Sequence, residues 1–237
     1  YVDMISSIHE KFPDVHLQAF TAVEIAHFAE ISGMSIYETL KKLKDAGLGS
    51  LPGGGAEVFS TDVRKELCPE KLSGDEWLNT MRTAHNLGMR SNATMLYGHI
   101  EKNEDRVNHL LKLRELQDET GGFMSFIPLA FHPKNTDLKE FSSTAGILDL
   151  KMLAIGRLML DNFDHIKAFW IMLGIKLAQI SLSFGVDDID GTVAEEKITH
   201  SAGAETPEAL TVDEIKSLIE ETGREPVERD TLYNQVN

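Results

Sequence analysis

Apolar positions along the chain switch repeatedly between a helical and a strand period. Met4, Ile5, Ile8 and Phe12 share one face of a helix over VDMISSIHEKF (2–12). Pro13-Asp14 breaks that pattern, and VHLQAF (15–20) reads as a strand. Thr21 is placed to cap the next helix, AVEIAHFAEI, which stops near Gly33. Ser35 and Glu38 form a capping box ahead of IYETLKKLKDA, which ends at Gly47. LGSLPGG (48–54) is a short strand running into glycines. A helix over 74–87 leads to the strand MRSNATMLYG (89–98), and a strongly amphipathic helix over 104–120 leads to the strand FMSFIPLAF (123–131). The pattern continues as a helix (146–160), the strand HIKAFWIM (165–172), the helix GIKLAQISLSFG and the strand VDDIDG (186–191). An exposed helix, TVDEIKSLIEETG, and a polar, irregular tail, REPVERDTLYN, follow.

Strict alternation of strand and helix predicts a parallel sheet, here with six strands. The first helix has no strand before it. The pattern therefore fits an open doubly wound sheet, and equally a (β/α)₈ barrel lacking its first two strands. A formal charge of −15 over 237 residues excludes general nucleic-acid binding and docking on anionic membranes. The longest apolar stretches, at 152–160 and 168–180, are interrupted by Arg157 and Lys176 and fall short of the ~20 residues a membrane helix needs. Cys68 is the only cysteine, so neither an internal disulfide nor a four-cysteine metal site can form, and a reducing, cytoplasmic setting is expected.

The candidate chemistry sits at strand ends. Gly53, Gly54 and Gly55 follow the second strand, and their missing side chains would let a ligand approach the backbone; Glu57 beside them can accept from an ammonium or from ribose hydroxyls. The alternative is a plain turn with an exposed glutamate. Neither the Walker nor the dinucleotide-binding glycine pattern is present. Asn92 and Thr94 share one face of their strand, which in a barrel would be the lumen. Pro128 inside a strand suggests a kink or bulge. His132 ends that strand, well placed for hydrogen bonding or proton transfer, or else a structural loop histidine. Asp187, Asp188, Asp190, Glu195 and Glu196 crowd the last strand, as a cation site or, more commonly, a solvated face.

Taken together, Ser50–Glu57, Arg90–Glu101, Arg114–Pro133, Asp161–Ala178, Asp187–Ala204 and Arg224–Tyr233 resemble the radical S-adenosylmethionine (SAM) enzymes of the futalosine menaquinone pathway, in order and over nearly the whole chain. Three branches share these motifs: the aminofutalosine synthases, the cyclases acting on dehypoxanthine futalosine, and the deazaflavin-forming partners. SNATMLYGHIE, PLAFHP and DGTVAEEKI look most like the first; the cyclases tend to carry glutamine where His132 stands. The resemblance implies a partial (β/α) barrel of about six of eight units over 1–205, followed by a helical extension and tail over 206–237. It implies SAM and a [4Fe–4S] cluster as cofactors, carboxyvinyloxybenzoate as substrate, and flavodoxin or ferredoxin as electron donor. On it, Gly53–Gly55 and Glu57 line the methionine or ribose end of SAM. Thr94-x-Leu96-x-Gly98-x-x-Glu101 resembles the G-x-I-x-G-x-x-E motif of the adenine side, with Thr94 where that motif has glycine, and Asn92, Ile127 and Pro128 lie nearby. His132 and Glu57 are the catalytic candidates. Gln18, Thr21 and Glu24 would face substrate, and Arg90, Arg229 or a lysine would meet its carboxylate. The C-x₃-C-x₂-C cluster motif of the family is not in these residues, and this chain alone is expected to make no radical. The contrasting reading is a cluster-less SAM- or nucleoside-binding fragment.

Overall fold

A computed structural model describes residues 1–193, 197, 201, 206–207 and 209–236. Glu195 and Glu196 of the acidic run lie outside the described residues. Five strands form one sheet: β1 (Leu17–Gln18), β2 (Leu48–Leu51), β3 (Arg90–Tyr97), β4 (Phe123–Ala130) and β5 (His165–Ile166). They pair in chain order, every pair parallel. This decides between the two topologies, because a doubly wound sheet reverses strand order about its first strand whereas a barrel adds each strand to the same side. The segment expected as a sixth strand continues the sheet through the single bridge Lys167↔Asp188, with Ala168 N–H donating to Asp188 O (2.8 Å) and Asp187 N–H to Ile166 O (3.2 Å). The fifth strand is shorter than its hydrophobic run, because Trp170–Leu173 turns into a helix.

Among the described residues the α-helices are α1 (Val2–Lys11), α2 (Ala22–Ser32), α3 (Ile36–Asp45), α4 (Thr61–Leu67), α5 (Gly74–Asn86), α6 (Asn103–Thr120), α7 (Gly146–Met159), α8 (Trp170–Leu173), α9 (Ile175–Ser181) and α10 (Val212–Glu220). No apolar period announces α4, whose seven residues TDVRKEL are mostly polar. Thr21–Glu24, Ser35–Glu38, Ser73–Glu76 and Thr211–Glu214 are reciprocal capping boxes that fix four helix starts. Contacts run α2 to α5, α5 to α6 and α6 to α7, so the helices follow the sheet round its outer face. The core between the layers holds Trp77, Phe123 and Phe163, with ring centroids 6.3 and 5.2 Å apart along the row. No helix among the described residues is long and apolar enough to cross a membrane.

Pro128 makes no bulge; it stands in register with Met95 in a regular stretch of ladder, and the irregularity falls earlier, between Ser91 and Ala93. The Phe126 carbonyl accepts from Lys167 N–H, so position 128, two residues on, faces the same neighbour. The ladder with β5 ends at Phe126↔Ile166, and a proline there forfeits no ladder bond.

Two histidines are built into the outer layer. His109, fully buried on Phe59 (centroids 3.9 Å), bonds the Thr94 carbonyl through Nε2 (3.0 Å). His85 bonds Thr120 and Ser91 hydroxyls. Burial pushes His109 down to about 3 and His85 to about 4. Both folded values lie below the unfolded value of about 6.5, so the stability they confer is complete above that pH and falls as the pH drops toward the folded values, by about 1.4 kcal/mol per unit for each group. Urea unfolding at pH 7.5 and 5.0 tests this: in His109→Gln the loss between the two pH values should shrink by about 2 kcal/mol, and an unchanged loss would reject the assignment.

Candidate functional site

The loop after β2 is the centre of the arrangement. Gly53 (φ +85°) crosses so close to β3 that a Cβ would sit 2.2 Å from the Asn92 carbonyl oxygen. At Gly54 and Gly55 the Cβ would meet methyls of Thr21 (2.9 Å) and Val23 (2.7 Å). The space expected for a ligand beside these glycines is therefore filled by the protein, which explains glycine here by packing. Their carbonyls are also taken: Thr94 Oγ1 donates to Gly53 O (2.9 Å), Trp77 Nε1 to Gly54 O (3.0 Å) and Arg64 Nη2 to Gly55 O (3.4 Å). What remains is the amide edge, since the N–H groups of Gly53, Gly54 and Gly55 have no acceptor among the described residues. Successive free amides in a turn of alternating hand form a concavity that suits a carboxylate or hydroxyl oxygen.

Arg64, in the middle of α4, holds this loop from behind. Its Nη1 donates to Ala56 O (2.5 Å) and Val58 O (3.3 Å), and its Nη2 to Leu72 O as well as Gly55 O. Arg64 and Trp77 carry no motif, so nothing in the sequence singled them out. Glu57 sits at φ +46° and pairs with Lys71 Nζ (2.7 Å), while its carbonyl accepts from Leu96 N–H (2.9 Å). The glycine loop is thus stitched to the second half of β3.

β3 ends in a turn closed by Glu101. Its carboxylate accepts from the amides of Gly98 (2.6 Å) and His99 (2.8 Å) and is neutralised by Arg106 (2.6 Å). Gly98 is at φ +90°, its Cα side pressed by Thr144. Glu101 is therefore fully engaged in shaping the turn, and Gly98 lets it form. His132 lies beyond β4, its Nε2 on the carbonyl of Met172 in α8 (3.0 Å). Ile127 is half-buried on the inner face and Pro128 buried.

Strand ends of one polarity thus bring together Gly53–Glu57, Thr94 and Gly98–Glu101. Gln18 bonds Ser50 (3.0 Å). Thr21 packs on Gly54, while its hydroxyl and amide both donate to Glu24, whose carboxylate serves the cap of α2. Arg90 stands at the opposite end of β3 from the Gly98–Glu101 turn. It is the first residue of β3, level with Ser50 and about 7 Å along the strand before Asn92, where Gly53 crosses, and about 23 Å before Tyr97, at ~3.3 Å per residue.

The inner face holds a second arrangement. Ile166 faces the helices, so His165 and Lys167 face inward. The C-terminal tail enters there. Tyr233 stacks on His165 (centroids 3.9 Å, 8°) and donates its hydroxyl to Asp188 Oδ2 (2.6 Å). Arg229 lies over the Tyr233 ring (4.2 Å) and donates to the same oxygen through Nη2 (2.6 Å) and Nε (3.2 Å). Lys167 Nζ is 3.1 Å from Asp190 and 3.8 Å from Asp188. Burial raises the Asp188 carboxyl, but Lys167, Arg229 and Tyr233 outweigh it and hold the group below the usual carboxylate range. The acidic run at 187–190 is therefore an ion-paired anchor for the tail, and Asp187 likewise binds Arg157 and His165 (both 2.6 Å). A cavity of about 770 Å³ opens between this anchor, α10 and the tail; of the candidates read from the sequence, Arg229 and the acidic residues Asp187, Asp188 and Asp190 line it.

The second half of the chain, residues 120–237, matches the family model for the CofH/MqnC C-terminal region. The whole chain is 52% identical to the aminodeoxyfutalosine synthase of Thermus thermophilus, and 98% of it is 45% identical to that of Streptomyces coelicolor. It is also 43% identical, over all its length and 68% of the relative's, to the 5-amino-6-(D-ribitylamino)uracil–L-tyrosine 4-hydroxyphenyl transferase of Methanococcoides burtonii. The chain belongs to the CofH/MqnC family. It spans 64% of the length of the Thermus synthase. The crystal structure of methylornithine synthase superposes on 96% of the chain and 63% of its own with a TM-score of 0.67 at 19% identity, and so shares the fold. The CofH/MqnC family is one of radical SAM enzymes, as the motifs implied. Its [4Fe–4S] cluster does not fit the residues present. Three thiolates are needed, Cys68 is single and buried, burial raises its thiol pKa, and no group of three His, Cys, Asp or Glu among the described residues would hold a metal ion. The amides of Gly53–Gly55, unpaired among the described residues, are donors of the kind that a carboxylate or hydroxyl oxygen of SAM would need.

Proposed function

We propose that the protein carrying this chain is an aminodeoxyfutalosine synthase, joining the 5′-deoxyadenosyl part of SAM to 3-[(1-carboxyvinyl)oxy]benzoate with loss of CO₂, in menaquinone biosynthesis. The observation that carries this reading is the 52% identity to the Thermus synthase over the whole chain, against 41–43% for the transferases. SAM supplies the adenosyl group; the residues here bind, orient and exclude water. The amides of Gly53–Gly55 receive the methionine carboxylate or a ribose hydroxyl, with Asn92 and Thr94 fixing the loop against β3. Glu57, Gly98, Glu101, Ile127 and Pro128 shape the surrounding wall. His132 is the candidate for proton transfer, with Gln18, Thr21 and Glu24 toward the substrate. A flavodoxin or ferredoxin supplies electrons, in the cytoplasm. The division into a barrel over 1–205 and a helical extension over 206–237 belongs to the same proposal. The second reading, a 4-hydroxyphenyl transferase, is favoured by the 43% identity over the full chain.

Anaerobic assay of the complete gene product with SAM, a reductant and each substrate pair separates the two. Aminodeoxyfutalosine, detected by mass, is the expected product; a tyrosine-derived adduct of the ribitylaminouracil would replace this reading with the second. The 237-residue chain by itself is expected to take up no stoichiometric iron and sulfide on reconstitution and to release no 5′-deoxyadenosine. Turnover by it would overturn that expectation.

A further inference from the structure

We infer that Lys167 is the cation that receives the carboxylate of the substrate on the inner face of the barrel. The inference rests on the proposed function only in taking the substrate to bear a carboxylate, as L-tyrosine in the second reading also does. Three kinds of cation were candidates from the sequence, and the geometry separates them. Arg90 stands at the first position of β3, level with Ser50, and four residues before Thr94 on that strand. Arg229 is committed to the tail anchor: Nε and Nη2 donate to Asp188, Nη1 donates to Asp230 O (3.0 Å), and Tyr233 covers one face of the guanidinium, which fixes the planar group and leaves two of its five N–H donors. Lys167 differs. Its side chain is 9% exposed, points inward between β4 and the 187–190 segment, and makes one hydrogen bond, to Asp190 Oδ1 at 3.1 Å. An ammonium has three N–H donors. Two of them have no acceptor among the described residues, in a side chain whose burial makes an unmet donor costly.

The surroundings keep Lys167 in this state. Asp188, the stronger competitor, is 3.8 Å away, and its Oδ2 already accepts from Arg229 and Tyr233. Its Oδ1 accepts from the Asp190 amide (2.7 Å), which holds Asp190 at φ +69° with its carboxylate toward Lys167. The tail residues Arg229 and Tyr233 are thus positioning residues. By occupying Asp188 they leave the ammonium under-satisfied and aimed by Asp190 alone. Lys167 follows directly on Ile166, level with Ile127 on the neighbouring strand, so a carboxylate there would sit on the same inner face as Thr94 and Ile127.

The test is equilibrium binding and steady-state kinetics on the complete, cluster-reconstituted gene product with 3-[(1-carboxyvinyl)oxy]benzoate. Lys167→Met should weaken substrate binding and raise its KM by about 10–100-fold, the scale of one hydrogen bond to a charged group. Lys167→Arg should recover most of that loss. Asp190→Asn removes the competing carboxylate and should tighten substrate binding a few-fold, a change opposite in sign that a merely structural role would not produce. Should Lys167→Met fail to fold, the Lys167→Met/Asp190→Asn double variant removes both buried charges and must still show the weakened binding. Wild-type binding by Lys167→Met, or loss of affinity in Asp190→Asn equal to that in Lys167→Met, would overturn the inference. Failure of the wild-type protein to turn over this substrate, with turnover of the tyrosine pair instead, would count against the proposed function alone, and the same variants would then be read on L-tyrosine.

Discussion

Replacing Arg64 by methionine is expected to lower the stability of the folded chain by about 3–5 kcal/mol, the range for removing one partner from a buried charged network. The side chain is 5% exposed and donates to the carbonyls of Gly55, Ala56, Val58 and Leu72. Methionine fills similar volume but leaves those acceptors without their donor, and each buried unpaired polar group costs about 1–3 kcal/mol. The guanidinium also holds the glycine loop through Gly55 O, so on the proposed function the variant should weaken SAM binding as well. Lysine, a point donor without the planar fork, should recover only part of the stability. Urea unfolding at neutral pH measures the effect, and a loss below about 1 kcal/mol would mean that water replaces the guanidinium readily.

The second large effect concerns Asp188. Asp188→Ala takes from Arg229 the carboxylate it bonds and from Lys167 the more distant of its two acidic neighbours, and is expected to cost about 3–5 kcal/mol. Tyr233→Phe, which removes one of the donors, should cost less, about 1–2 kcal/mol. Asp188 also carries an acid dependence. Its folded pKa is lowered by Lys167, Arg229 and Tyr233 against the opposing effect of burial. The stabilisation is therefore present above the unfolded value of about 3.9 and is lost as the pH falls through the lower folded value. Asp188→Asn should abolish that component of acid unfolding below pH 4 while leaving the histidine component, which acts between about pH 6.5 and 3, in place. Release of the tail in Asp188→Ala, seen as faster exchange or proteolysis near Tyr233, would accompany the loss. A tail that stays protected would show that the His165 stack suffices to hold it.

Much of this was written in the local pattern. The strand–helix alternation follows from side-chain period, and the Ser35–Glu38 capping box is a contact between near neighbours that any helix starting there would make. Thr94 and Asn92 share the inner face because strand side chains alternate. Where the sequence left two topologies open, strand order had to decide, since order depends on which strands pair and not on any one strand. The roles of single residues were least legible where the partner lies far along the chain. Thr94 donates to Gly53 across 41 positions, Tyr233 to Asp188 across 45 and Arg229 to Asp188 across 41. A polar tail without period gives no sign that it will enter the sheet's inner face. Arg64 sits in a short polar helix whose burial comes wholly from its surroundings. The glycines are the clearest case: three in a row specified a tight turn, but whether their bare faces met a ligand or the protein depended on where β3 and α2 pass. Sequence by itself determined most of the elements, their caps and the family, because those rest on local periodicity and near-neighbour bonds. The tertiary structure alone decided which carboxylates and cations are already spent on one another, because charge pairing between distant segments is set by distance, and distance exists only once the chain has folded.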